Sequence, residues 1–124
     1  MKKHPIFLIL ILFSVFASSC KYDFILPEVV VPVTDVSFAE DVAPIFSNND
    51  KCTSCHKPGG TSPDLTAANA YAQIMANYVN TASPAESVIY ALPAPSTSTH
   101  NWKKYTVGEA ALILKWIEEG AENN

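Results

Sequence analysis

Apolar residues follow two regimes along this chain. From Ile6 to Ala17 they run unbroken apart from Ser14. Beyond residue 35 they recur at three- and four-residue spacing, the signature of helices with one buried face. No stretch alternates as a strand would. Three predicted helix starts share one pattern, a hydroxyl at the cap and a carboxylate three residues on. Ser37-Phe38-Ala39-Glu40 opens a short helix through Phe46, which Pro44 bends or ends. Ser83-Pro84-Ala85-Glu86 opens a helix over 84 to 92, with proline at the favoured first position and a stop at Pro93. Thr106-Val107-Gly108-Glu109 opens the last helix, 107 to 119, closed by Gly120. In that helix Ala110, Ile113, Leu114 and Ile117 share a face, with Trp116 beside it. A further helix is expected over 66 to 79, where Leu65, Ala68, Tyr71, Ile74, Met75 and Tyr78 fall on or near one side. Residues 93 to 99 are a polar, proline-rich loop. The pattern is that of one small all-α domain.

The first apolar run has a different meaning. Lys2, Lys3 and His4 precede its 12 residues, and the small residues Ser18 and Ser19 follow it. A basic start, an apolar middle and a small-residue cleavage site make a secretion signal. The run is too short to span a bilayer, which takes about 20 apolar residues. The stretch "ASSC" resembles the cleavage box of bacterial lipoproteins, in which the cysteine becomes the lipidated first residue. Residues 1–19 are therefore expected to be a lipoprotein signal peptide and Cys20 the lipidation site. Residues 20–35, with Pro27, Pro32 and a β-branched run, read as an extended tether, and 36–124 as the domain. Loss of Lys2 and Lys3 takes the formal charge from −4 to −6. An acidic chain without a basic run argues against a nucleic-acid partner. The expected location is the bacterial cell envelope, facing the periplasm or the exterior.

A helical domain of about 90 residues gains only a few kcal/mol from its own core and usually carries a staple. The stretch "KCTSCHKPGG" supplies a candidate. Outside the cytoplasm, C-x-x-C-H reads as covalent attachment of c-type haem. Residues three apart lie on one face of a helical turn. The thiols of Cys52 and Cys55 can then both reach the vinyl groups on one porphyrin edge, and His56 can bond the iron from below. Three other readings stay open. Cys52, Cys55, His56 and His100 match the four ligands of a structural zinc site in number, though not in usual spacing. A redox dithiol needs a βαβ context that this pattern lacks. A plain disulfide would close too short a loop to be useful.

From these residues the chain resembles class I cytochrome c domains, of the small envelope-anchored bacterial kind, over about residues 36 to 121. "FAEDVAPIFSNNDKCTSCH" is similar to their N-terminal helix and haem motif, "PDL" at 63 to 65 to the loop after it, and "ALILKWIEEGA" at 111 to 121 to their C-terminal helix. The resemblance implies a cytochrome c-like fold of three to five helices around one covalent haem c. It implies that Pro63, with Pro58 as second choice, offers a backbone carbonyl to the far nitrogen of His56. It implies that Leu65 packs on the haem face, and that the last helix crosses the first. The family's usual distal ligand is a methionine on a loop before the last helix. This chain has none there: Met75 falls inside a predicted helix, whereas His100 stands six residues before Thr106. The expected axial pair is therefore His56 and His100, with Met75 or an open position as alternatives. Phe46, Leu65, Tyr71, Ile74, Ile89, Leu92, Trp102 and Trp116 are the expected pocket lining.

No Ser/His/Asp order, paired catalytic carboxylates or phosphate-binding glycine loop is present. The expected function is electron transfer by a lipid-anchored mono-haem cytochrome, with no enzymatic activity and a redox protein of unnamed identity as partner. The alternative is a haem-based gas or peroxide sensor, or an enzyme accessory domain, with a displaceable sixth ligand.

Overall fold

The protein is described by a computed structural model covering residues 35–124. The predicted signal peptide, the lipidation at Cys20 and all of the tether but Asp35 lie outside the described residues. Within them the regular structure is helical, with no strand and no helix long and apolar enough to cross a membrane. Four α-helices occur: α1 (Ala43–Ser47), α2 (Ala70–Asn77), α3 (Val88–Ala91) and α4 (Val107–Glu118).

α1 is the second half of the first predicted helix. Its first half, Phe38–Val42, is wound as a wider π turn, closed by the Ala43 N–H on the Phe38 carbonyl. Pro44 has no N–H to give to the carbonyl four residues back, and the bonding slips by one residue before it. Proline itself then sits in the first turn of α1, where it is tolerated. The Ser37 side chain accepts the Glu40 N–H as its spacing foretold, but Asp41, not Glu40, accepts the Ser37 N–H at 2.8 Å.

The Ser83 cap does not form. Pro84–Glu86 is a 3₁₀ turn, and Ser87 at ψ 127° separates it from α3. Ser87 is drawn into the core, 1 % exposed. Its hydroxyl accepts from the Asn80 N–H at 2.9 Å and meets the Asn80 carbonyl at 3.3 Å. That closure of the loop outweighs helix continuity. α2 likewise starts at Ala70 and not at residue 66. Asp64 accepts from the backbone and hydroxyl of Thr66 at 2.9 and 2.6 Å, and from the Asn69 side chain at 2.6 Å. Those bonds hold 64 to 69 as turns.

α4 is the most regular helix. Thr106 and Glu109 form a complete capping box. Gly120, at φ +106°, ends the helix in the left-handed conformation that glycine adopts without strain. Ala110, Ile113, Trp116 and Ile117 are its buried face. Trp116 and Tyr71 close on Phe38, with ring centres 5.2 and 5.1 Å from it. The two ends of the described chain are tied together. Asn124 accepts from the Phe38 N–H through its side chain at 2.8 Å and from the Ala39 N–H through its carbonyl at 3.0 Å. Glu119 accepts from the Val36 N–H at 2.9 Å. The N-terminal element is thereby packed on the last helix. Both deliver their far ends, Asn48 to Asp50 and residues 100 to 106, to one side of the molecule.

Glu109 does two jobs there. Besides capping α4 it pairs with Lys51, just before the first cysteine. Partial burial pushes its carboxyl up, but the hydrogen bonds from Lys51 and Thr106 and the Lys51 charge outweigh it. The carboxyl ends below its usual value of about 4.5. A depressed carboxyl stabilises the fold above that value, and the contribution is lost as pH falls below it. The Glu109 side chain keeps 25 % of its surface in contact with solvent, so screening limits the effect. Glu109→Gln is expected to cost about 1 kcal/mol at neutral pH. It should also flatten the decline of stability below pH 4.5, read by urea unfolding across pH. An unchanged acid limb in the variant would refute this role.

Candidate cofactor site

α1 leads straight into the cysteine motif. Asn49 and Asp50 take left-handed backbone, φ 53° and 50°, and turn the chain back. Asparagine and aspartate tolerate that conformation better than most residues. The Cys52 N–H then bonds the Phe46 carbonyl at 2.9 Å, anchoring the motif to a fully buried residue. Residues 52 to 56 form one helical turn, with the Cys55 and His56 N–H groups 3.1 and 2.9 Å from the Cys52 carbonyl. Cys52 is half-buried and Cys55 exposed, and neither is in a disulfide. Burial pushes the Cys52 thiol up, against the pull of Lys51. A redox dithiol works through a thiolate stabilised by its surroundings, which is the opposite trend.

Beyond the motif the chain folds back over His56. Gly60 donates to the Lys57 carbonyl at 2.8 Å, Thr61 to the Cys55 carbonyl at 2.9 Å, and Leu65 to the His56 carbonyl at 3.0 Å. At Gly60 any side chain would collide with the Cys55 carbonyl oxygen and press on that of Lys57 at 3.1 Å. Gly60→Ala is expected to cost about 3 kcal/mol, measured as a fall in Tm, and to displace the turn that carries the cysteines. A stable variant with unchanged backbone exchange at residues 55 to 61 would show that the loop gives way freely.

This loop sets the imidazole. His56 Nδ1 lies 3.1 Å from the carbonyl oxygen of Pro63, which is buried. A carbonyl can only accept, so Nδ1 carries the proton and Nε2 keeps its lone pair for a metal. Leu65, two residues on, is 4 % exposed and belongs to the core.

His100 arrives from the loop before α4. Its ring centre is 6.2 Å from that of His56 and the planes are 21° apart. Two imidazoles bound on opposite sides of one metal at about 2.0 Å, each ring centre about 1.2 Å behind its nitrogen, would stand about 6.4 Å apart. His100 Nδ1 is buried and has no hydrogen-bond partner within the described chain. Buried polar atoms without a partner are rare, and each needs an explanation. Among the described residues no group of three or more His, Cys, Asp or Glu side chains is placed to hold a metal ion.

Other expected residues divide. Phe46, Ile74, Ile89 and Trp116 are buried core. Met75 is half-buried and packs against the same core from α2. Trp102 is 93 % exposed and Leu92 42 % exposed, so neither lines an interior in this structure. Trp102 stands between Asn101 and Lys103 in an irregular loop, and helical periodicity gave no means of orienting it. Residues the sequence did not single out hold the loop in place. Buried Tyr105 donates to the Ile89 carbonyl at 2.9 Å, and its N–H to the Pro93 carbonyl at 3.1 Å. Burial pushes its phenol well above the ordinary range. Lys103 reaches the Asp50 carbonyl at 2.8 Å and the Ser54 hydroxyl at 3.2 Å. Such long-range contacts leave no local signal.

No protein-family model, curated protein or solved structure matches the chain. The site's chemistry therefore rests on its own geometry.

Proposed function

We propose that this chain is a lipid-anchored mono-haem c-type cytochrome that passes electrons in the bacterial envelope. Cys52 and Cys55 would hold the haem covalently, and His56 and His100 would bind its iron. What supports the reading is the pairing of an oriented His56 imidazole with His100, their ring centres 6.2 Å apart, beside two free thiols on one helical turn. The bound haem supplies a one-electron iron couple. The chain's own residues do the rest. The Pro63 carbonyl fixes the tautomer and orientation of His56. The buried core of Phe46, Leu65 and Ile74 lies behind the motif and keeps bulk water from that side. Cys55 and Ser54, both exposed, mark the side on which a redox partner approaches. Lipidation at Cys20 confines the domain to a membrane surface.

The test is an optical and mass spectrum of the chain produced in a host that attaches c-type haem. The expected result is a mass gain of one haem that survives denaturation. The spectrum should be that of low-spin iron, without the weak far-red band of methionine sulfur on ferric iron. A colourless chain with the mass of bare polypeptide, with or without lipid, would defeat the proposal. Prompt CO binding by the reduced protein would instead favour the gas-sensing alternative.

A further inference from the structure

The loop that carries His100 is long, polar and mostly exposed from Pro95 to Lys103. Its start is tied by Thr97, whose hydroxyl bonds the Leu92 and Ala94 carbonyls at 2.8 and 3.0 Å. Its end is tied by Tyr105 and by the α4 cap. Between those anchors, from His100 to Lys104, one polar side chain bridges to the cysteine motif. Lys103 Nζ donates to the Asp50 carbonyl at 2.8 Å and to Ser54 Oγ at 3.2 Å. Ser54 stands between Cys52 and Cys55, and Lys103 stands three residues after His100. The bridge therefore joins the segment that presents one imidazole to the turn that presents the other.

We propose that Lys103 is a positioning residue, a clasp that closes the distal loop on the Cys52–Cys55 turn and holds His100 opposite His56. The inference deepens the cytochrome reading and rests on it. The physical argument is one of entropy. A loop free between residues 97 and 105 samples many positions for His100, and only those near 6 Å from His56 allow both rings to share one metal. A charge-assisted bond three residues from the ring removes most of the others. The apparent strength of the sixth bond then depends on the fraction of time the loop is closed. Lys103 does this through its ammonium group, so a guanidinium can stand in for it and a neutral side chain cannot.

The experiment compares the haem-loaded wild type with Lys103→Ala, Lys103→Arg and Ser54→Ala. Two quantities are read besides electron transfer: the rate of CO binding to the reduced protein, and the high-spin fraction of the oxidised protein. Wild type is expected to be low-spin and to bind CO slowly. Lys103→Ala is expected to bind CO about tenfold faster, with a visible high-spin population, while its covalent haem content stays that of wild type. Lys103→Arg should restore wild-type behaviour. Ser54→Ala, which removes the weaker of two acceptors at an exposed position, should fall between. Equal CO rates in wild type and Lys103→Ala would overturn the clasp while leaving the cytochrome reading intact. Wild type that lacks haem, or that already takes up CO as fast as His100→Ala, would overturn that reading and the clasp with it.

Discussion

Replacing both Cys52 and Cys55 by alanine is expected to yield a colourless chain that no longer unfolds cooperatively. Three quantities combine in this expectation. Burying roughly 400 Å² of porphyrin at about 25 cal/mol per Å² is worth on the order of 10 kcal/mol before ordering costs. A domain of this size is stable by about 5–15 kcal/mol in total. Its own interior is small: of 90 described residues, 16 hydrophobic ones form the core. Cys52 also packs against that core, so its truncation removes some contact whether or not haem is present. The comparison that separates the two effects is the unaltered chain made in a host unable to attach haem. That material and the double variant should both be protease-sensitive, with broad urea transitions of low amplitude. A sharp, stable transition in the unaltered apo-chain would mean that the helical core suffices alone, and that the haem is not the staple.

The second large effect is expected at the distal position. His100→Ala should convert the oxidised protein from low-spin to high-spin and open the reduced iron to CO. A sixth bond that keeps only about one site in a hundred open is worth about 2.7 kcal/mol, and its loss speeds CO capture on the order of a hundredfold. His100→Met should move the other way on the potential scale, since methionine ligation raises it. Met75→Leu is the control: Met75 packs on the core from α2, and its loss should leave the spectrum unchanged. If His100→Ala kept the wild-type spectrum and Met75→Leu lost it, the axial assignment would pass to Met75. Rearrangement on loading would have to bring that side chain to the iron.

The structure qualifies the sequence reading at particular residues. The Thr106–Glu109 cap was legible because its donor and acceptor lie three residues apart, and it holds although the same carboxylate also pairs with Lys51. The same signature at Ser83 failed because Ser87, four residues on, is claimed by Asn80. The Ser37 signature succeeded by half, its carboxylate supplied by Asp41. Trp102 illustrates the reverse error. Tryptophan belongs in cores by type, yet here it is the most exposed of the large apolar residues described. It stands in an irregular loop, where no periodicity assigns a face.

By itself the sequence determined the helical class, the ends of the last helix and the grouping of two thiols and an imidazole on one turn. Each of these is a matter of residues within four positions of one another, where covalent geometry fixes what can meet. Only the tertiary structure decided that His100 faces His56, that the Pro63 carbonyl meets Nδ1, and that Lys103 and Glu109 bind the last loop to the cysteine turn. Except at Pro63, those partners are 44 to 58 residues apart in the chain. Their meeting is set by how the first and last helices pack, because the energy of each contact is small and the core that brings them together is shared by all.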